Sequence, residues 1–110
     1  MMNNEFIHWC DARIAHCQAQ QQRLAADQRG DEASFMQIRA NVYGIFRTTC
    51  TALGGDMVKL ADQLTTIPAA WAKSLEIAEA HGDEKKAHIE RIKLETVQDI
   101  CHYLSNLEAN

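Results

Sequence analysis

Two segments of the sequence carry a carboxylate three residues before a histidine, a spacing that places both side chains on one face of a helix. They are Glu5 with His8 and Asp99 with His102. Helical bundles that hold two metal ions use a related carboxylate-x-x-His pattern on two of their four helices. The helical periodicity described below, however, turns His8 and His102 away from the apolar stripes. These four residues are the candidates for a metal site. Because the histidines face away from the apolar stripes of their helices, solvated side chains are the favoured interpretation.

The four cysteines offer a second set of candidate ligands: Cys10, Cys17, Cys50 and Cys101. Cys10 and Cys17 are separated by about 10.5 Å along a helix axis, which exceeds the roughly 7 Å between Cα atoms that a disulfide tolerates. All four lie on or beside apolar stripes, so we expect them to be reduced thiols packed as small hydrophobic residues. An alternative remains a metal- or thiol-dependent bundle that combines these cysteines with His102.

Other catalytic patterns are missing from the sequence. The serines at positions 34, 74 and 105 fall in predicted helices without a glycine-rich elbow. Gly54-Gly55 is a pair of glycines before a helix, typical of a turn rather than of a phosphate-binding loop. The sequence therefore predicts neither an enzyme nor a cofactor.

Charge argues against nucleic acid as a partner. The formal net charge is −4, and the eleven basic residues are scattered among carboxylates, which does not favour binding to a phosphate backbone. One alternative is a small helix-turn-helix regulator formed by residues 57–78, with a break at Pro68. Its second helix carries a single cation, Lys73, too little charge for phosphate contacts.

Glycine and proline divide the chain into intervals whose apolar residues recur every three or four positions, the period of a helix. The first interval covers residues 3–29 and ends at Gly30, although its glutamine-rich stretch 18–22 offers little apolar surface. The second follows an N-cap at Asp31 and ends before residue 54. The third follows Asp56 and ends at residue 82, and the last follows Asp83.

Pro68 lies inside the third interval, where it predicts either a kink or two short helices. The sequence thus predicts an all-α fold over residues 1–110: a small antiparallel bundle of four helices, the third interrupted near Pro68. A looser array, in which the first helix swaps onto a second chain, is the alternative.

The functional expectation is a non-enzymatic helical protein that binds a protein partner or a second copy of itself, as a homodimer. The last helix has an apolar face wider than one neighbour needs, and large side chains flank the stripes. Trp9, Leu94 and Tyr103 are the interface candidates. Because no apolar run is long enough to cross a membrane and no signal sequence is evident, we expect a cytoplasmic location and no membrane partner.

Overall fold

The computed structural model describes residues 2–109 as four α-helices joined by short turns. The helices are α1 (Met2–Ala26), α2 (Gly30–Ala52), α3 (Met57–Ala80) and α4 (Glu84–Ala109). No strand occurs in this part of the chain, and the predicted all-α bundle is confirmed. None of the described helices combines the length and the apolar character that a membrane crossing requires.

Contacts between helices give their directions. Arg39 pairs with Glu95 and Tyr43 with Asp99, so residue numbers rise together along α2 and α4 and these two helices are parallel. Helix α1 packs mainly on α2 and α3 mainly on α4, whereas α2 and α3 touch little. The fold is therefore a pair of antiparallel helical hairpins joined through the parallel α2 and α4.

Most of the core consists of side chains that the hydrophobic periodicity selects, and Thr96 is a buried polar exception. The largest fully buried side chains are Phe6, Cys10, Val42, Phe46, Cys50, Leu60, Thr96 and Ile100. Burying side chains of this kind contributes roughly 1.5–3 kcal/mol for each large aliphatic or aromatic group. Helix α4 contributes to the core on two sides because it lies between α2 and α3, which explains its broad apolar face.

Three helices end in the same hydrogen-bond pattern, in which the chain leaves the helix through a residue of positive φ. Gly54 (φ 64°) ends α2 and Gly82 (φ 70°) ends α3. At the end of α1 the corresponding residue is Gln28 (φ 62°), with the Arg29 N–H donating to the Leu24 carbonyl at 2.8 Å. A side chain in this conformation costs roughly 1 kcal/mol or more, which glycine avoids.

The first helix boundary therefore differs from the prediction. Helix α1 ends at Ala26 instead of running to residue 29, and Gly30 is the first residue of α2. The residue that caps α2 is Arg29, whose side chain makes no capping bond, so the predicted N-cap Asp31 is wrong. Asp31 lies in the first helical turn, where its charge is favourable to the helix dipole.

The other two predicted N-caps are confirmed. Asp56 Oδ1 accepts hydrogen bonds from the backbone N–H groups of Val58 and Lys59, each at 3.1 Å. Asp83 Oδ1 accepts one from the Lys86 N–H at 3.1 Å. Each cap satisfies N–H groups that the first turn of a helix leaves without a partner.

Of the two forms predicted for the third helix near Pro68, two separate short helices are not formed, because α3 continues through this residue from Met57 to Ala80. Pro68 has no N–H to donate to the carbonyl of Leu64, which costs the helix one bond. Leu64 and Pro68 are both buried, so packing of the two flanking segments on one core offsets the missing hydrogen bond.

The molecule is more extended than a compact chain of its size. Its radius of gyration is 14.9 Å, compared with about 13 Å expected for 110 residues. Its accessible surface of 6885 Å² exceeds the roughly 6,100 Å² expected for a folded monomer of this mass. Four helices arranged as two hairpins side by side account for this open shape.

Candidate interaction surfaces

A group of polar and aromatic side chains, the α1 anchor cluster, fastens α1 to α2 and α4. It consists of Trp9, Arg13, Tyr43, Asp99 and Tyr103. The Tyr43 hydroxyl donates to Asp99 Oδ2 at 2.5 Å, and Arg13 Nη2 donates to the same oxygen at 3.1 Å. Arg13 Nε also donates to the Tyr43 hydroxyl at 3.4 Å. One carboxylate oxygen thus joins three helices.

Aromatic rings surround this polar group. Trp9 stacks on Tyr103 with ring centroids 4.2 Å apart and planes at 11°, and it meets the Tyr43 ring edge-on at 5.5 Å. The Arg13 Cζ lies 5.7 Å from the ring centroids of both Trp9 and Tyr43. Cation–π contacts of this kind add roughly 0.5–1 kcal/mol at an exposed site.

Burial differs within the α1 anchor cluster. Tyr43 is buried, and its pKa is raised to about 12, first by burial and second by the hydrogen bond to Asp99. The side chains of Arg13 and Asp99 are 43% and 38% exposed, so water screens their ion pair and its contribution is modest. The ion pair between Arg13 and Asp99 therefore orients α1 more than it stabilises the whole fold.

A second feature is a groove between the N-terminal halves of α2 and α4, with a cavity of about 240 Å³. We call it the α2–α4 groove. Its lining residues are Asp31, Ser34, Phe35, Ile38, Lys85, His88 and Ile89. The rings of Phe35 and His88 meet edge-on with centroids 4.5 Å apart, which connects the two walls. None of the lining residues belongs to α1 or α3.

The α2–α4 groove has an apolar floor and one charge of each sign. Phe35, Ile38 and Ile89 are only partly buried, and Ile45, two turns beyond Ile38 on α2, is 39% exposed. Asp31 and Lys85 are exposed. Among the ion pairs that the side chains of residues 4–107 form, none involves either of these two charges. Apolar surface with unpaired charges beside it is suited to binding a protein.

The candidate metal ligands from the sequence are not brought together. Glu5, His8 and His102 are exposed, and the His102 ring nitrogen Nε2 lies 3.3 Å from Asn106 Nδ2. Asp99 belongs to the α1 anchor cluster. Over residues 4–107, whose side chains the structure describes, no three His, Cys, Asp or Glu side chains form a group that could hold a metal ion.

Three of the four cysteines occupy the predicted core positions. Cys10, Cys17 and Cys50 are buried, and burial raises the pKa of Cys10 to about 12. The expectation for Cys101 is wrong: its side chain is exposed beside Ala61 of α3, because α4 turns this position past the edge of its core face. A site that combines these thiols with His102 is therefore not formed in the described part of the chain.

The helix-turn-helix outline over residues 57–78 is also wrong as a structure. That motif needs two helices at a steep angle joined by a turn, whereas these residues form one continuous helix.

The predicted interface candidates lie on the bundle's partly buried surface. Trp9 and Tyr103 stack on each other in the α1 anchor cluster, and Leu94 is half-buried on α4. The sequence does not reveal the α2–α4 groove, because Phe35, Ile38 and Ile89 recur at the same helical spacing as residues of the core. The only sequence feature that pointed to such a surface is the broad apolar face of the last helix.

No protein-family model, curated protein or solved structure matches this chain.

Proposed function

We propose that this protein is a non-enzymatic helical module whose function is to self-associate, with the α2–α4 groove of one copy packing on the same groove of a second copy. The observation that carries the proposal is the partly exposed apolar floor of the groove, formed by Phe35, Ile38 and Ile89. Covering such side chains removes apolar surface from water, the dominant favourable term in protein association.

The charges beside the floor favour a second copy as the occupant. A twofold interface places the same surface on both sides. If one residue of the first copy contacts a different residue of the second, the symmetry repeats that contact with the two copies interchanged. Asp31 and Lys85 lie on opposite walls of the groove. Facing grooves would pair Asp31 of each copy with Lys85 of the other, and both charges lack a partner within the described chain.

The area available also agrees with a dimer. The accessible surface of 6885 Å² exceeds that expected for the mass by roughly 750 Å². A standard protein interface buries about 800 Å² on each partner. The excess of exposed surface over the whole molecule is similar in size to the area that one partner buries in such an interface.

The proposal is tested by measuring the dimer dissociation constant by sedimentation velocity for wild type and for Lys85→Asp. Reversing this charge places like charges opposite each other twice in the dimer, so we expect about tenfold weaker association. An acidic residue in the first turn of α4 is compatible with helix formation. The double variant Asp31→Lys with Lys85→Asp exchanges both charges and should recover the wild-type constant.

Lys59→Asp is the matched control, because Lys59 is also an exposed lysine in the first turn of a helix, remote from the groove. It should leave the dissociation constant unchanged. Equal effects of Lys59→Asp and Lys85→Asp would show that net charge, and not the groove, controls association.

A further inference from the structure

One histidine lies inside the α2–α4 groove. His88 of α4 lines its cavity, and its ring meets the Phe35 ring edge-on with centroids 4.5 Å apart. In the single chain His88 is exposed, so water can solvate the ring whether it is neutral or protonated. A second copy packed on the groove would remove that water. Groove-to-groove contact therefore covers a side chain whose charge ordinarily changes between about pH 5 and pH 8.

The charges around His88 determine which state of the ring a covered groove favours. The other charged residues of the lining are Asp31 of α2 and Lys85 of α4, and neither α1 nor α3 contributes to the lining. Lys85 precedes His88 by three residues, which makes them neighbours on one helix face. In the proposed dimer Asp31 and Lys85 pair across the interface and their charges cancel. A third charge, on His88, would therefore be uncompensated.

Carboxylates close to the groove but outside its lining do not supply that compensation. Three of them already have a cation in the same chain: Glu79 pairs with Arg91, Glu95 with Arg39, and Glu32 with Arg29. Glu84, one turn before His88, is exposed and does not line the groove, so water screens its charge. A protonated His88 thus loses its water on association without gaining a carboxylate, which disfavours the charged ring.

We propose that protonation of His88 releases the two copies, so that association through the α2–α4 groove weakens as the pH falls from about 8 to about 5.5. This proposal rests on the self-association proposed above and specifies its regulation. The dimer favours the neutral ring, and an associated form that holds fewer protons is lost as the pH falls. Each dimer covers two such rings, so both contribute to the effect.

The overall charge of the chain predicts the opposite trend. The formal net charge is −4 with neutral histidines, and protonating all five histidines would raise it to +1. Two copies therefore repel each other less at low pH. Association controlled by net charge alone would become tighter as the pH falls, whereas association controlled by His88 becomes weaker. The direction of the pH dependence distinguishes these two causes.

The test is the dimer dissociation constant, measured by sedimentation velocity at about pH 8 and about pH 5.5 and at one ionic strength; for wild type we expect an about tenfold higher constant at the lower pH. His88→Gln places a neutral side chain of good helix propensity at this exposed position, and its constant should not rise. His16→Gln is the matched control at an exposed position of α1, outside the groove, and should behave as wild type. Circular dichroism at both pH values distinguishes release of folded chains from unfolding.

The outcomes separate this proposal from the self-association on which it rests. A dimer whose constant does not rise at the lower pH, a rise that persists in His88→Gln, or a rise that accompanies loss of helix overturns the role of His88 and leaves groove-mediated association standing. A single-chain mass at every concentration and at both pH values overturns both proposals. A rise in wild type and His16→Gln that is absent from His88→Gln, with the helices intact, supports the regulation.

Discussion

At the residue scale, the buried hydroxyl of Tyr43 connects α2 to α4 and also accepts from Arg13 of α1. Its pKa is raised from 10.0 to about 12, so the folded protein keeps this proton at pH values where the unfolded chain loses it. The stabilisation that Tyr43 supplies is complete below about pH 10 and is lost as the pH rises to about 12.

The variant Tyr43→Phe tests this linkage. We expect it to lower the free energy of unfolding at pH 8 by about 1–2 kcal/mol, the cost of leaving Asp99 with one donor fewer. The difference between wild type and variant should shrink above pH 10, measured by urea denaturation. Tyr103→Phe is the control, because the Tyr103 hydroxyl has only a 3.5 Å contact with the Glu5 carbonyl. A constant difference from pH 8 to 12 contradicts the account.

Glu90 is a buried carboxylate with an incomplete set of partners. Its Oε1 accepts from Lys93 Nζ at 3.1 Å, while Oε2 has no hydrogen-bond partner within the described chain. The Lys93 ammonium also lies 5.5 Å from the ring centroid of Trp71. A buried ion pair of this kind contributes little net stability, but losing one partner leaves a charge uncompensated.

The two single substitutions should therefore differ. Lys93→Met leaves the Glu90 carboxylate without its cation, and we expect a loss of about 2 kcal/mol in the free energy of unfolding. Glu90→Met leaves Lys93, which is 28% exposed, able to turn toward water, and it should change stability by less than about 1 kcal/mol. Chemical denaturation of both variants checks this order; equal losses would contradict it.

At the element scale, helix ends were predictable where glycine or a capping aspartate marks them. Gly54 and Gly82 occupy the positions of positive φ, and Asp56 and Asp83 cap the helices that follow. The end of α1 was not predictable, because Gln28 takes a conformation that sequence reasoning assigns to glycine. There the packing of α1 on α2 outweighs the local preference of the backbone.

Pro68 gives a further example in which packing overrides a local signal. The sequence leaves a kink or two short helices open, and α3 is one helix that continues through the proline, with Leu64 and Pro68 both buried. The cross-helix pairs of the α1 anchor cluster were also outside the reach of the sequence. Periodicity places Arg13 and Asp99 on their own helices, but it does not give the register between helices.

Replacing Pro68 with alanine restores the missing N–H donor to α3. We expect Pro68→Ala to raise the free energy of unfolding by about 1–2 kcal/mol, since the regained bond outweighs the loss of some buried surface. Thermal unfolding followed by circular dichroism should show a higher Tm. Ala72→Pro, at an exposed position of the same helix, should lower stability by about 3 kcal/mol. A lower Tm for Pro68→Ala contradicts this explanation.

At the scale of the whole molecule, the amphipathic periods predicted a helical bundle, and they did not predict its open arrangement. Helices α2 and α4 are parallel neighbours, and α2 touches α3 little, so the α2–α4 groove stays open. Residues such as Phe35 and Ile89 fit a core pattern whether or not another helix covers them. Hydrophobic spacing alone therefore does not distinguish a buried apolar side chain from one that stays exposed and available to bind a partner.

The central claim, that this open surface serves self-association, is tested most directly by the mass in solution. Sedimentation equilibrium over roughly 1 to 100 µM spans dissociation constants typical of specific protein association. The account predicts a mass that rises with concentration toward twice 12.4 kDa. A mass that stays at 12.4 kDa over the whole range contradicts it.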